Sequence, residues 1–114
     1  MRSGKLDRKI TLQQIVVVRG NSGGESVTWE DMYDLFAERE TTAATERFAA
    51  SQRIAEVDTL YRVRWNSSTK LINPKTHRIT YRSRWYEILA VVEIGRNEGA
   101  WIACKSRGDL GGTP

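Results

Sequence analysis

The residues with the most evident chemistry in this sequence are arginines spaced by two. Arg62 and Arg64 form one such pair, and Arg82 and Arg84 form another. On a β-strand that spacing projects both side chains of a pair from one face. Tyr61, Trp65, Tyr81, Trp85 and Tyr86 are interleaved with them. Cations for phosphates and aromatic rings for bases are the working parts of a single-stranded nucleic-acid barrel. Tyr61 and Trp65, however, share a strand face with Val63, which assigns them to a core and leaves few free stacking platforms. Contact through about four or five arginines would be weak, salt-sensitive and blind to sequence. A basic surface facing a channel or a protein partner is the better reading.

The other reactive residue types do not assemble into a site. Asp31 with Asp34, and Glu38 with Glu40, have the spacing of acid–base or hard-metal pairs, but adjacent carboxylates on strands usually form a solvated face. Ser22 stands among glycines in Gly20-Asn21-Ser22-Gly23-Gly24 like a serine nucleophile. The single histidine, His77, is the only base on offer and sits in a polar loop after it. One cysteine, Cys104, cannot form an internal disulfide, and its apolar setting at residues 100–104 predicts a buried, inert thiol. One histidine and one cysteine leave no zinc cluster, and no glycine-rich phosphate loop precedes a helix. Arg107-Gly108-Asp109 matches an integrin-binding tripeptide, too short to carry weight. The sequence predicts no enzyme and no cofactor.

The chain has 114 residues, enough for one domain with its own core. No apolar run, residues 15–18 included, is long enough to span a bilayer, so no membrane partner is expected. The basic start followed by residues 10–18 has a faint signal-peptide pattern. Gln13 and Gln14 interrupt it, and a first strand reads better. The net charge of +4 conceals a division along the chain. Residues 25–58 hold nine acidic residues against Arg39, Arg47 and Arg53, whereas residues 59–86 hold none against Arg62, Arg64, Lys70, Lys75, Arg78, Arg82 and Arg84. Two oppositely charged regions suit self-assembly or steering toward a charged partner, unless strand pairing brings them together within the chain.

The elements that must position these charges are strands. Residues 79–94 organise the rest: β-branched and aromatic residues at a period of two, without glycine or proline, predict a long strand. Tyr86, Ile88, Ala90, Val92 and Ile94 share one face of it, with Trp85, Leu89 and Val91 on the other. A polar break at residues 82–84 turns the short strand 78–81 into it. Residues 9–19 read as a first strand, and residues 27–37 as a second beyond the loop of Gly20, Asn21, Ser22, Gly23 and Gly24. Thr42 is placed to cap a helix over 43–55, with Ala44, Phe48, Ser51 and Ala55 on one face. Residues 57–65 alternate cleanly except at Leu60. A loop over 66–76 contains Ser67, Ser68 and Lys70, with Leu71 and Ile72 as its apolar anchor. A last strand covers 100–105. The fold class expected is mainly β: a small antiparallel β-barrel of about six strands with one short helix and long flexible loops. Residues 1–105 form the domain and 106–114 a flexible C-terminal tail.

The order of these features resembles the head–tail joining family (head closure, or stopper) of long-tailed bacteriophages and gene transfer agents. Leu6-Asp7-Arg8-Lys9-Ile10-Thr11-Leu12-Gln13 is similar to the family's opening Leu-x-x-Arg-Ile-x-Leu-Gln. Gly23-Gly24-Glu25 leads to Trp29, as the family's Gly-rich loop leads to its tryptophan. Leu35-Phe36-Ala37-Glu38, Glu46-Arg47-Phe48, Tyr61-Arg62-Val63-Arg64-Trp65, Ile72-x-Pro74, Arg78-Ile79, Trp85-Tyr86-Glu87-Ile88 and Gly95-Arg96-Asn97 continue the likeness. Arg82-Ser83 replaces the Asp-Gly usual at the hairpin tip, and Phe36 replaces a tryptophan.

The resemblance implies a structural part of the virion neck, made in the bacterial host cytoplasm. Copies would form a ring, a dodecamer, beneath the portal and its adaptor. That ring would close the channel after DNA packaging, touch packaged DNA without sequence preference, and receive tail terminator or tail tube proteins below. Arg62, Arg64, Arg78, Arg82 and Arg84 on one side, and Glu30, Asp34 and Glu38 on the other, are the candidate ring-interface or channel-facing residues. Asn21, Ser22, Gly23, Gly24, Ser67, Ser68, Lys70, Leu71 and Ile72 are the candidate docking-loop residues. A single-stranded nucleic-acid-binding barrel is the alternative.

Overall fold

The computed structural model describes residues 6–20, 23–67, 69–96 and 98–109. Six strands and one helix follow the chain: β1 (Arg8–Arg19), β2 (Glu25–Arg39), α1 (Thr42–Gln52), β3 (Thr59–Val63), β4 (His77–Tyr81), β5 (Arg84–Ile94) and β6 (Gly99–Asp109). The strands close into an antiparallel barrel in the order β1-β2-β3-β6-β5-β4. The mainly β, six-stranded barrel expected from the sequence is the one observed. The alternating apolar residues explain it. Ile10 and Leu12, Leu35 and Ala37, Tyr61 and Val63, Ile79, Tyr86 and Ile88, and Ala100, Ile102 and Cys104 all point into one core.

Four strands differ from their sequence pattern for identifiable reasons. In β2 the register against β1 shifts between Leu12 and Gln13, so Val27 and Trp29, in phase with Tyr33, Leu35 and Ala37 by sequence and expected on their face, lie on the opposite one. β3 is buried on both faces rather than amphipathic. Its outer face lies under α1, where Leu60 joins Phe48, Val57 and Ala103 in a second apolar cluster. Leu60, the residue that breaks the alternation, is therefore a packing residue of the outer layer. Phe48 meets Trp101 edge-on at 5.5 Å between ring centroids. In β5 the register against β6 shifts between Ile88 and Ala90. The extra residue reverses the phase, so Val91 packs on the barrel core while Leu89, Ala90 and Val92 pack on the outer cluster. The single face expected for Tyr86 through Ile94 is thus divided. β6 also continues to Asp109, beyond the expected end at residue 105. Arg84 and Trp85 pair with Asp109 and Gly108, and Asp58 Oδ1 accepts from the Ser106 N–H at 2.9 Å. The tail expected over 106–114 is strand as far as Asp109; residues 110–114 lie outside the described residues.

The helix begins one residue earlier than predicted. Thr41, not Thr42, is the N-cap, and its hydroxyl accepts from the Ala44 N–H at 3.1 Å. The helix ends at Gln52, where Arg53 turns left-handed at φ 58° and its N–H reaches the Ala49 and Ala50 carbonyls. Ala55 is therefore outside the helix, and Thr45 is buried with Phe48 in its place.

β1 and β2 outrun the barrel. β1 pairs with β4 only over Thr11 to Gln14, and β2 pairs with β3 only over Ala37 to Arg39. Beyond these contacts β1 and β2 continue as a two-stranded ribbon as far as Arg19 and Glu25. The molecule is consequently elongated, 52 × 27 × 25 Å.

Candidate assembly surface

The strongest constellation on the barrel's outer wall is centred on Arg78. Ile79 points inward, so its neighbour Arg78 points out and is paired in register with Gln13 of β1 and Glu87 of β5. Trp29 of β2 and Trp85 of β5 close on it. The guanidinium carbon stands 4.5 Å from the Trp29 ring centroid and 5.0 Å from that of Trp85. Arg78 Nε donates to Gln13 Oε1 at 2.7 Å, and Gln13 Nε2 donates to Asp31 Oδ1 at 2.8 Å. On the far side Arg107 neutralises Glu87. Asp31, Gln13, Arg78, Glu87 and Arg107 therefore form a polar row across the wall. Partial burial lowers the Arg78 pKa from its ordinary value. Below the row lies a cleft of about 330 Å³, walled by Trp29, Trp85, Pro74, Lys75, His77 and Glu87.

The remaining arginines separate into buried and exposed. Arg62 is 7% exposed and forms an ion pair with Glu38, with Glu40 at 3.9 Å. Glu40 also accepts from Trp101 Nε1 at 3.2 Å. The expected intersubunit role for Arg62 and Glu38 meets a competing fact: strand pairing already joins them within one chain. Arg64, one residue past β3, is exposed and lines a cavity of about 200 Å³ with Asp34, Phe36 and Val63. Arg82 and Arg84 are exposed at the β4–β5 hairpin, with Arg82 over the Tyr81 ring at 5.3 Å and Arg84 3.9 Å from Asp109. Glu30 and Asp34 are exposed on β2; Asp34 is held by Thr11 at 2.8 Å and Lys9 at 3.6 Å.

The hairpin tip carries backbone strain. Arg82 and Ser83 adopt φ 50° and 65°, and they are the two central residues between the paired Tyr81 and Arg84. Two successive positive φ values match the turn that joins strands with the native twist, for which Asn-Gly is the favoured sequence.

The loops differ from one another. Gly23 adopts φ 87° with open space about it, Gly24 is exposed, and Asn21 and Ser22 lie outside the described residues. The loop after β3 is tied down rather than loose. Thr69 is buried, donates to the Arg64 carbonyl at 2.9 Å and exchanges hydrogen bonds with Asn66. Ile72 is buried in the barrel core, so it is an anchor and not a contact residue. Leu71, 70% exposed, and Lys70 and Ser67 face outward; Ser68 lies outside the described residues.

The reactive side chains are dispersed. His77 Nδ1 accepts from the Asn73 N–H at 2.8 Å and clamps its own loop. Cys104 is fully buried, and burial raises its thiol pKa. Arg107-Gly108-Asp109, expected in a free tail, is part of β6. Among the described residues no three of His, Cys, Asp and Glu gather as a metal would require, and no helix is long and apolar enough to cross a membrane.

The chain is thus an elongated barrel with a projecting ribbon, a charged outer wall and exposed apolar side chains. The comparisons name the group. The family model for phage head completion protein matches residues 1–107, and the chain belongs to that family. It is a structural component of the phage head, in a family that is structural rather than enzymatic, and it associates with other virion proteins. A solved structure, the solution structure of protein SF1141 from Shigella flexneri 2a, shares the fold with a TM-score of 0.72, 21% identity and full coverage of both chains. No curated protein matches.

Sequence reasoning found Arg78 as one cation among several but missed its clamp. Trp85 was legible as an outward aromatic, but Trp29 is in phase with Tyr33, Leu35 and Ala37 in the sequence, and only the register shift between Leu12 and Gln13 turns it to the outer face.

Proposed function

We propose that copies of this chain form a closed ring at the head vertex, beneath the portal and its adaptor, that retains packaged DNA and receives the tail. The observation that carries this reading is the ribbon. A two-stranded hairpin is marginal alone in water, yet this one holds Val17 at 53% and Val27 at 55% exposure, and Phe36 farther down β2 is 60% exposed. Such side chains gain their full stabilisation when neighbours cover them. A ring requires each subunit to offer two different patches. The acidic Glu30 and Asp34, with Arg64, Arg78, Arg82 and Arg84 as their basic counterparts, are the candidates that remain for that contact once Arg62 and Glu38 are paired internally. Leu71 and Lys70 extend toward the ring's upper or lower neighbours. A dodecamer is the stoichiometry proposed, in the virion neck of a phage or gene transfer agent.

Copy number in purified particles tests the reading. Quantitative mass spectrometry of DNA-filled heads should find a fixed complement of the chain matching a portal-centred ring. One copy per particle, or none, would sink the proposal. The nucleic-acid alternative is weaker, because Tyr61 is buried in the core and Tyr81 and Trp85 are engaged by arginines. Oligonucleotide binding that survives physiological salt would favour it instead.

A further inference from the structure

We propose that the Arg78 cleft is a carboxylate receptor filled by Glu30 of a second copy, with the ribbons of successive copies stacked face to face. The inference rests on the ring reading and adds the contact that builds it.

Arg78 is presented as a ligand-binding cation is. Its flat guanidinium is fixed by two indoles and by Gln13, so little freedom is lost on binding. Gln13 takes only Nε. The two terminal nitrogens make no hydrogen bond to any described residue, and no carboxylate lies within ion-pair distance. The nearest acid in register, Glu87, is already neutralised by Arg107. Lys75 adds a second cation to the cleft wall. A carboxylate approaching edge-on matches those two terminal nitrogens.

Glu30 supplies the complement. It is exposed and makes no ion pair or side-chain hydrogen bond with any described residue. Strand alternation keeps it from the cleft of its own chain. Trp29 and Val27 project from one face of the ribbon with Ile15 and Val17; Glu30 and Thr28 project from the other with Gln14, Val16 and Val18. One face carries valines and a cation, and the opposite face carries valines and an anion.

The levels match as well. On both faces the charge lies at the barrel end of the ribbon, near Gln13 and Gln14, and the valines lie nearer its tip. Copies related by rotation about an axis along the ribbon keep the same level. Each would set Glu30 against the next copy's Arg78, and Val16 and Val18 against the next copy's Val17 and Val27. A phosphate satisfies the same guanidinium, but it leaves the valines on both faces uncovered. The carboxylate of a second ribbon covers them.

The test is self-association of the full-length chain by sedimentation at millimolar concentration. Glu30→Arg should weaken assembly by about tenfold or more, as should Arg78→Glu, and the double exchange should restore most of it. Glu30 is exposed, so Glu30→Arg folds whatever happens to Arg78→Glu. A second readout avoids the cleft altogether. Val17→Cys combined with Val18→Cys should give a ladder of disulfide-linked multimers on oxidation, whereas either cysteine alone should not. Wild-type-like assembly of Glu30→Arg overturns the pairing and leaves the ring standing. Loss of labelled duplex DNA binding in Arg78→Glu, with assembly intact in Glu30→Arg, overturns it in favour of a phosphate. A wild-type chain that stays monomeric overturns the ring and the pairing together.

Discussion

Arg62 of β3 and Glu38 of β2 face each other across the shortest seam of the barrel and form an ion pair there, with the arginine almost wholly buried. Only three residue pairs hold β2 to β3. The acidic and basic stretches of the sequence, which could have met between subunits, meet here within one chain. The pair helps close the barrel at that seam and is satisfied within it.

Removing one partner of that pair strands the other. Glu38→Ala should cost about 2 kcal/mol, below the usual cost for a fully buried pair because Glu38 is partly exposed and Glu40 remains near Arg62. Replacing both, Glu38→Leu with Arg62→Met, should recover much of the loss. Urea unfolding of the two variants measures the difference.

Phe48 is the one large side chain by which α1 grips the barrel. Phe48→Ala should destabilise by about 3–4 kcal/mol, as truncation of a buried aromatic does. The cavity of about 380 Å³ between α1, Leu60 and Trp101 would widen. Hydrogen exchange should show the loss first in α1, with β1 and β4 still protected.

At the β4–β5 tip, Arg82 and Ser83 hold positive φ values that disfavour residues with a Cβ. Replacing them by Asn-Gly should raise stability by about 1 kcal/mol. A thermal melt checks it. Unchanged or lower stability would mean that the Arg82–Tyr81 contact outweighs the strain.

Two buried acids should make the fold sensitive to alkali. Burial raises the pKa of the Cys104 thiol and, with help from Tyr86, that of the Tyr61 phenol. Both hold their protons more tightly folded than unfolded. Their contribution is complete below the unfolded-state values, about 8.5 for a thiol and about 10 for a phenol, and is lost as pH rises beyond them. The melting temperature should therefore fall steadily above about pH 9. Cys104→Ala and Tyr61→Phe should each flatten that slope, and Tyr61→Phe should cost little at neutral pH because its hydroxyl makes no hydrogen bond. Native Cys104 should also resist thiol reagents until the chain unfolds.

What the sequence disclosed and what it withheld have the same physical root. Alternation is local, so Ile10 and Leu12, Leu35 and Ala37, and Ala100 and Ile102 announced their strands and the barrel core. The cover that α1 lays over β3 is not local, and Leu60 looked like an error in a pattern until its partner Phe48 came into view. The bulge at Leu89 is a single extra residue in an apolar run, and nothing in a run of apolar residues marks a change of phase. Thr41 and Thr42 are equally good caps by type; only the backbone chose between them. Arg78 drew its significance from Gln13, Trp29 and Trp85, which come from three other strands. Charge division was legible, but its resolution at Arg62 and Glu38 depended on register.

The central proposal is that this chain closes a pore with many copies of itself. Nuclease treatment of particles assembled with and without the chain tests it most directly. The account predicts that heads made without it package DNA but lose it, leaving digestible genomes and no attached tails, and that adding the purified chain restores protection. Tailed particles with fully protected DNA in its absence would contradict it.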